Sequence, residues 1–400
     1  RAGASTLLVE KTGMLGGTTT TGGVNFPGLF HAWGKQVIAG VGWELVTEAV
    51  QVARGTLPDF SHDERRHFTR QVRVNSFVYA ALCDEKLTEA GATVLFHTML
   101  AAVQPGDGGW RLTLCTKTGL RQIDATVVID CTGDANAAAL AGFPLNIPDE
   151  HQPATLSCRA SGYDVEALDI DAINAAFDAE VKAGRLDYTD SSWNTQQANV
   201  GGWLRKGGAN ANHTHDINAR TSEGKSELEL AARKKLLRLY RFLRTQPGLE
   251  KLTIDSVSPE CGVRETATIR GKATVTVEDY QSGRVWPDAV CFSFYPIDLH
   301  TARDQGLQCE PLAEGVVPTL PRGAMLPEGS ENFIVAGRCI SSDRLANSAL
   351  RVQASCMAMG QAAGAMAALS ATSRTDPGDL ALEEIGAMLR KHDAIVPTIS

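Results

Sequence analysis

The chain has 400 residues, of which 43% are hydrophobic and 21% charged, a composition typical of a soluble globular protein that excludes a disordered or collagen-like chain. Its formal net charge is −8 and its pI is near 5.7, so the overall charge favours neither nucleic acid nor an anionic membrane as a partner. This length predicts two domains, or at most three, because single hydrophobic cores stop growing below it.

The first third of the chain has the pattern of an α/β fold with an inserted β-meander. Apolar runs predict buried strands, apolar positions at helical spacing predict helices, and alternation at period two predicts the meander. In chain order we expect a buried parallel strand at 5–9, helices at 40–52 and 75–89, and strands at 92–96, 110–115, 120–125 and 126–130. A Gly/Thr loop at 13–28 follows the first strand, and no charged residue lies between Lys11 and Lys35.

The pattern changes after about residue 143. We expect, in order, a helix at 164–183, a loop at 200–221, a helix opened by a capping box at 226–229, mostly strand at 252–296, and an apolar strand at 333–336. The helix after residue 226 has a leucine stripe opposite a basic face. We expect that basic face to be exposed to solvent; an anion-binding patch is the less favoured alternative.

The uncharged stretch at 352–373 contains Gly360 and Gly364 in the spacing of a transmembrane dimer motif. It also contains glutamines and serines, and alanine supplies most of its apolar content, so it is too polar to partition into hydrocarbon. We therefore expect a small-residue helix that packs closely against backbone or a ligand, and no membrane partner.

Nine cysteines lie far apart, with no C-x-x-C pair. Such spacing is typical neither of a disulfide framework nor of a zinc or iron–sulfur site. The pattern predicts reduced thiols in a cytoplasmic protein, no bound metal, and no dithiol-based reductase chemistry.

Glu10 follows the first predicted strand directly. An acidic residue at the carboxyl end of the second strand of a dinucleotide-binding unit accepts hydrogen bonds from the ribose hydroxyls. In that unit a G-x-G-x-x-G turn lies about 20 residues upstream, whereas only nine residues precede Glu10. On this interpretation the first strand and the glycine turn lie outside the chain. A surface salt bridge is the simpler alternative for Glu10 alone.

Six motifs occur in an order that resembles a known family. They are VEK…LGGT at 9–18, VIDCTGD at 128–134, YPIDLH at 295–300, VAGR at 335–338, ALRV at 349–352 and GQAAG at 360–364. Together they resemble the FAD-dependent oxidoreductases of glutathione-reductase-like fold. The resemblance implies an α/β chain whose Rossmann-like FAD-binding domain, with a β-meander, covers 1–145 and 326–400 and is interrupted by an inserted α+β substrate domain at 146–325.

The resemblance also implies that FAD is the cofactor and which residues contact it. Glu10 would hold the adenosine ribose, and Arg351 and Val352 would open a helix whose positive N-terminus stabilises the flavin. The full set that the resemblance implies is Glu10, Lys11, Gly16, Gly17, Thr18, Thr19, Thr132, Gly133, Asp134, Gly337, Arg338, Arg351 and Val352. Because the family's amino-terminal G-x-G-x-x-G is absent, we expect a truncated chain with weakened FAD affinity.

Flavin chemistry requires a substrate carbon held against the cofactor and a base for the coupled proton. His300 is the first candidate for the base, with Asp298 on the same face of a strand. His213, in an H-x-H pair with His215, is the second, and no third metal ligand accompanies that pair. Arg264, together with Arg270, could clamp a carboxylate or polar substrate.

Each candidate also has a purely structural explanation. The histidines could be satisfied by neighbours and the arginines by ion pairs, and Cys261, a further redox candidate, could be an inert buried thiol. The function that the sequence predicts is hydride transfer between a small polar substrate and FAD. The alternatives are a nicotinamide-dependent dehydrogenase and a non-catalytic fragment without a cofactor.

Overall fold

The computed structural model describes residues 1–61, 67–302 and 306–398. Among the helices of these residues, none combines the length and the apolar character needed to cross a bilayer. Short 3-10 helices occur at Gly17–Thr19, His67–Arg70, Val165–Ala167, Tyr188–Asp190 and Arg322–Met325.

Two helices and a three-stranded meander dominate the amino-terminal part. Its elements are β1 (Leu7–Val9), β2 (His31–Ala32), β3 (Lys35–Gln36), α1 (Val41–Val52), α2 (Ser76–Glu89), β4 (Thr93–Leu95), β5 (Met99–Gly106), β6 (Gly109–Thr116), β7 (Gly119–Ala125), β8 (Val128–Asp130), α3 (Asn136–Leu140) and β9 (Leu145–Asn146). Asn75 caps α2 by accepting hydrogen bonds from the backbone N–H groups of Phe77 and Val78. The predicted order of strand, helix, strand, meander and strand is confirmed.

The middle part alternates helices with short strands. Its elements are β10 (Cys158–Ser161), α4 (Ile170–Lys182), α5 (Val200–Arg205), β11 (Gly208–Ala209), α6 (Ser222–Leu243), β12 (Thr253–Val257), β13 (Thr268–Ile269), α7 (Val277–Ser282), β14 (Ala289–Phe292), β15 (Ile297–His300), β16 (Leu307–Glu310) and β17 (Thr319–Pro321). The carboxyl-terminal part then adds one strand and three helices. These are β18 (Phe333–Val335), α8 (Arg344–Leu350), α9 (Gln353–Ser373) and α10 (Leu382–Lys391).

Several of the predicted cofactor residues lie at the carboxyl ends of strands in two parallel pairs. β1 pairs with β4, and β8 pairs with β18, each in parallel. One hydrophobic core joins the two pairs to the β5–β6–β7 meander, with Leu114, Phe333 and Val335 at its centre. The two pairs are separate sheets that pack on this shared core.

Several predicted elements are wrong in detail. The first strand is not buried: Leu7 is 37% exposed, because β4 is its one partner among the described strands. The region 200–221 begins with α5 instead of a loop, because Asn199 caps it and Trp203 and Leu204 face a core. The region 252–296 contains α7 and long loops as well as strands.

The long helix α6 begins four residues before the predicted capping box. Thr221 caps it by accepting from the N–H of Gly224, so Ser226 and Glu229 lie inside the helix. Its buried stripe is Leu228, Ala232, Leu239 and Leu243, as the spacing predicts.

We expect Leu239→Ala to lower the free energy of unfolding by about 2–5 kcal/mol, because it leaves a cavity in a fully buried part of α6. Leu237→Ala is the matched control: this leucine, on the same helix, is 47% exposed, whereas Leu239 is 0% exposed. The control should change stability by less than about 0.5 kcal/mol. Urea unfolding measures both, and equal losses in the two variants would contradict this packing.

Candidate functional site

The two candidate histidines lie in direct contact in the protein interior. Nε2 of His213, in the loop after β11, is 2.9 Å from Nδ1 of His300, the last residue of β15. Both side chains are buried. Asp298 lies two residues before His300, and its Oδ2 is 3.6 Å from Nε2 of that histidine. Three of the predicted catalytic residues thus form one cluster, although His213 is distant in sequence.

Arg351 also belongs to this cluster. Its Nη2 donates to the backbone carbonyl of Asp298 at 2.9 Å and to Oε1 of Gln152 at 3.1 Å. The same Gln152 oxygen accepts from the backbone N–H of His300 at 3.2 Å. The arginine that the resemblance assigns to the cofactor therefore lies beside the candidate base.

Arg264, the remaining candidate, faces the same cluster from another loop. Its Nη1 donates to the carbonyl of Pro153 at 2.6 Å and to Oγ1 of Thr155 at 3.0 Å. No carboxylate of the described residues lies within ion-pair distance of it. Its guanidinium nevertheless interacts electrostatically with both Arg351 and Asp298. Burial, together with the like charge of Arg351, lowers its pKa to about 9, so it stays protonated at neutral pH.

The surroundings keep both histidines neutral. Burial lowers the pKa of His300 to about 4, and the positive charge of Arg264 acts in the same direction. Burial lowers the pKa of His213 well below its ordinary value. For Asp298, burial by itself would raise the pKa, but His300 and Arg351 hold it at about 2. At pH 7 the cluster therefore contains an ionised carboxylate, two neutral imidazoles and two guanidinium groups.

Contacts from α6 and a neighbouring loop hold His213 in place. Nζ of Lys235 donates to the carbonyl of His213 at 2.9 Å and to Oγ1 of Thr189 at 2.8 Å. The ring of Trp193 stacks on His213, with centroids 6.2 Å apart, and meets His300 edge-on at 5.3 Å. Lys235 shows that the basic face of α6 is only partly solvated, because this lysine is half-buried and bonded.

A cavity of about 270 Å³ has Trp193 in its wall. Polar side chains form much of its wall. The lining residues are Ser191, Ser192, Trp193, Asn194, Asn199, Gly202, Trp203, Lys206, Ala211 and Leu307. Trp193 thus contacts both this cavity and the histidine pair, and Lys206, another wall residue, makes a cation–π contact with its ring at 4.9 Å.

The Gly/Thr loop packs against the start of α9. Nε2 of Gln353 donates to the carbonyl of Val24 at 2.9 Å, and its Oε1 accepts from the hydroxyl of Thr19. Gly28 has φ +109°, and a Cβ there would lie 2.4 Å from Cγ1 of Val352, so only glycine fits. Thr19 and Val352, which the resemblance assigns to one cofactor, therefore both lie where the Gly/Thr loop meets the start of α9.

Most of the threonine hydroxyls predicted to face the cofactor donate hydrogen bonds within the protein instead. The hydroxyl of Thr20 donates to the carbonyl of Leu15 at 2.6 Å, and that of Thr21 to the carbonyl of Gly17 at 2.9 Å. Of the four threonines in the run, Thr18 is exposed. Gly16 and Gly17 both have positive φ, which shapes this turn.

A second turn is formed by the ends of β8 and β18. The guanidinium of Arg338 donates to the carbonyls of Gly133 and Val263 and pairs with the carboxylate of Asp134. The hydroxyl of Thr132 and its backbone N–H both donate to the buried Asp130. Gly337 has φ +94°, and the position that a Cβ would take there is open space. All five residues predicted for this turn are thus adjacent.

Glu10 lies at the carboxyl end of β1, as predicted. Its Oε1 accepts two hydrogen bonds from Thr12, one from the backbone N–H at 2.7 Å and one from the side-chain hydroxyl at 2.8 Å. Its Oε2 has no hydrogen-bond donor in the described part of the chain. Lys11, in contrast, points away and pairs with Glu260 at 2.7 Å.

Three sequence expectations fail at the side-chain level. Arg270 is exposed and bonded to Asn146 at 3.3 Å, so it does not form a clamp with Arg264. Burial and the nearby Glu229 raise the pKa of Cys261 to about 12, which makes it an inert thiol. Gly360 and Gly364 lie on the exposed face of α9, and a Cβ at either position would have no described atom within 4 Å, so neither glycine is closely packed there.

His215 does not complete a metal site. Its ring meets that of His213 edge-on at 5.4 Å, and both of its buried ring nitrogens are unpartnered. Within residues 1–61, 67–302 and 306–398, no group of three His, Cys, Asp or Glu side chains could hold a metal ion.

Gln152, Trp193 and Lys235 are the site residues that the sequence did not indicate. Each reaches the cluster through a contact distant in sequence, and none lies in a motif. Only Trp193 lies in the polar and aromatic stretch at 188–216, and no signal in the sequence points to Gln152 or to Lys235 as a site residue.

A protein-family model described as "FAD dependent oxidoreductase" matches residues 1–389. No curated protein sequence matches the chain. Among solved structures, the chain is similar to the anhydrotetracycline hydroxylase OxyS from Streptomyces rimosus, with 19% identity and a TM-score of 0.28 over 40% of this chain and 33% of that one. A geranylgeranyl bacteriochlorophyll reductase-like protein from Thermoplasma acidophilum has 10% identity and a TM-score of 0.39, over 97% of this chain and 82% of that one.

A third similar structure is the p-nitrophenol 4-monooxygenase PnpA from Pseudomonas putida DLL-E4, with 9% identity and a TM-score of 0.36, over 97% of this chain and 77% of that one. The match spans only about one third of the Streptomyces hydroxylase. Because all three TM-scores are below 0.5, the sequence match to the family is the basis for assigning the chain.

Acidification should destabilise the fold through its buried histidines. Burial lowers the pKa of His215 to about 4, whereas in the unfolded chain this histidine titrates near 6.5. Between these values the unfolded state binds more protons, so stability falls as the pH falls from 6.5 towards 4. From pH 7 to pH 5, one such histidine accounts for roughly 2 kcal/mol.

Between pH 7 and pH 5, the free energy of unfolding of His215→Met should therefore fall by about 2 kcal/mol less than that of the wild type. Urea unfolding at the two pH values measures this. His97→Asn replaces an exposed histidine and should keep the wild-type pH dependence. A methionine variant whose stability depends on pH as steeply as that of the wild type would rule out this account.

Proposed function

The chain belongs to the family of FAD dependent oxidoreductases, and we propose that it oxidises a small polar substrate by hydride transfer to FAD, with His300 accepting the coupled proton. It is an enzyme of α/β flavoprotein-like fold whose cofactor is FAD. The glutathione-reductase-like subtype, with the segments 1–145 and 326–400 around a substrate domain at 146–325, is part of the proposal.

The residues present fit this cofactor at three places. Oε2 of Glu10 is an uncommitted carboxylate oxygen at the end of a parallel strand, which suits a ribose hydroxyl. Open space beside Gly337 allows a ligand to approach the backbone closely. The loop at 16–19 and the start of α9 together present glycine backbone and a helix N-terminus, which suit phosphate and an electron-rich ring.

When bound, FAD supplies the acceptor for the hydride; the chain's own residues must orient the substrate and take up the proton. The observation that carries the proposal is that Arg351 donates to the carbonyl of Asp298, whose carboxylate lies beside His300 of the His213–His300 pair. Arg351 is the residue directly before Val352, the cap of α9. The candidate base therefore lies beside the segment that the family resemblance assigns to the flavin.

His300 has one ring nitrogen suited to proton uptake. In the tautomer in which Nδ1–H of His300 donates to Nε2 of His213, Nε2 of His300 is unprotonated and is the nitrogen that can accept the substrate's proton. Nε2 lies 3.6 Å from Asp298, too far for a strong hydrogen bond but close enough for the carboxylate to stabilise the imidazolium that forms. Asp298 thus acts as an electrostatic partner of the base, and His213 fixes the orientation of its ring.

Glu10→Gln should weaken FAD binding roughly tenfold, because a neutral amide replaces the charged acceptor of the ribose hydrogen bonds. Fluorescence titration of the apoprotein with FAD measures this. Glu85→Gln changes an exposed glutamate on α2 and should leave the affinity unchanged. If both variants bind FAD like the wild type, Glu10 does not contact the ribose.

His300→Gln should lower the rate of anaerobic flavin reduction by about 10²–10⁴-fold, the usual contribution of a general base. The test uses the first small polar compound found to bleach the flavin of the wild type in a stopped-flow screen. FAD content should be unchanged, which separates a chemical defect from a binding defect. His97→Asn serves as the control and should reduce its flavin at the wild-type rate; the same result for His300→Gln would remove the base assignment.

A further inference from the structure

The buried charges around Asp298 do not balance. Nearby, Arg338 pairs with Asp134, and Arg344 lies 3.1 Å from Glu265. These pairs leave Arg264 and Arg351 to share one carboxylate. Arg351 is 3.6 Å from Oδ2 of Asp298, whereas Arg264 has no ion-pair partner among the described residues.

The neutral histidines do not offset the remaining charge. The cluster of Arg264, Arg351, Asp298, His213 and His300 therefore has a net charge of about +1 at neutral pH. An uncompensated charge away from water is costly, and proteins normally pair or solvate it. One monovalent anion would balance the cluster.

Two hydrogen-bond donors without partners lie in the same cluster. Nε of Arg351 and Nε2 of Gln152 are buried and have no hydrogen-bond partner in the described part of the chain. Gln152 is only 3% exposed, and its Oε1 already bridges Arg351 and the backbone N–H of His300. An unsatisfied buried donor costs about 1–3 kcal/mol, so two at one position indicate a missing acceptor.

We propose that Arg264, Arg351 and the side-chain amide of Gln152 bind the carboxylate of the substrate, which is a small carboxylic acid. This inference rests on the proposed function and specifies its substrate class. A planar carboxylate has two acceptor oxygens and one negative charge, which match the unpaired donors and the single excess charge. A phosphate dianion would overcompensate the cluster. The shared contact with Gln152 places such a carboxylate beside His300.

The test measures ligand binding and needs no turnover. The protein is titrated separately with acetate, with benzoate, and with their neutral counterparts acetamide and benzamide. Binding is followed by quenching of tryptophan fluorescence and by the shift in melting temperature. We expect the purified wild-type protein to bind the acids and not the amides. Trp193 lies against the histidine pair and would report occupation of the site.

Arg264→Met should weaken benzoate binding at least about tenfold, since it removes a charged donor. Arg264→Lys keeps the charge and should retain part of the affinity, which covers the possibility that the methionine variant does not fold. Arg270→Met removes an exposed arginine outside the cluster and is the matched control with unchanged affinity.

Equal binding of acids and amides, wild-type affinity in both Arg264 variants, or equal binding of sulfate and benzoate would each overturn the proposal. The outcome is independent of the redox reaction. A protein that binds benzoate through Arg264 but never reduces its flavin would retain the carboxylate site and lose the proposed function. A protein that reduces its flavin with a neutral compound and ignores benzoate would lose only the carboxylate site.

Discussion

The arrangement of the site depends on one buried hydrogen bond, between His213 and His300. These residues are 87 positions apart, and each is anchored in a different core. His213 is tied by Lys235 to α6, whose leucines form the core of the middle segment. His300 ends β15, which packs against α8 and through it on the core that includes α9 and β18. Because the two rings meet, any shift between these cores changes the geometry of the candidate base.

The joint between α8 and α9 is the second point on which the site depends. Arg351 is the C-cap of α8 and Val352 is the N-cap of α9, so the helical backbone is interrupted at these two residues. The interruption directs the guanidinium of Arg351 to the carbonyl of Asp298, and the first turn of α9 to the Gly/Thr loop through Gln353. A continuous helix could not make both of these contacts, with Asp298 and with the Gly/Thr loop. The same joint thus connects the proposed substrate side and the proposed cofactor side.

The sequence predicted the elements whose signals are local. Helix α2 follows from Asn75 and the spacing after it, and the meander follows from alternation and turn residues, since both depend on neighbours in the chain. The predictions failed where tertiary packing decides. Trp203 and Leu204 turn a glycine-rich stretch into α5 because a core is available for them, and no local pattern shows that. The glycines of α9 have the spacing of a packing motif, but their face of the helix is exposed.

The same distinction applies to the site. Histidine, aspartate and arginine could be selected by residue type and motif, and His213, Asp298, His300 and Arg264 do lie together. Their partners could not be predicted, because Gln152 and Trp193 reach the cluster through contacts far apart in sequence. Electrostatics then connects these parts: Arg264 and Arg351 help to keep His300 neutral, which weakens it as a base when no ligand is bound. A bound anion would oppose their effect and favour the imidazolium. A carboxylate at this position would therefore both orient the substrate and strengthen the base, so that proton uptake is favoured only when a substrate is present.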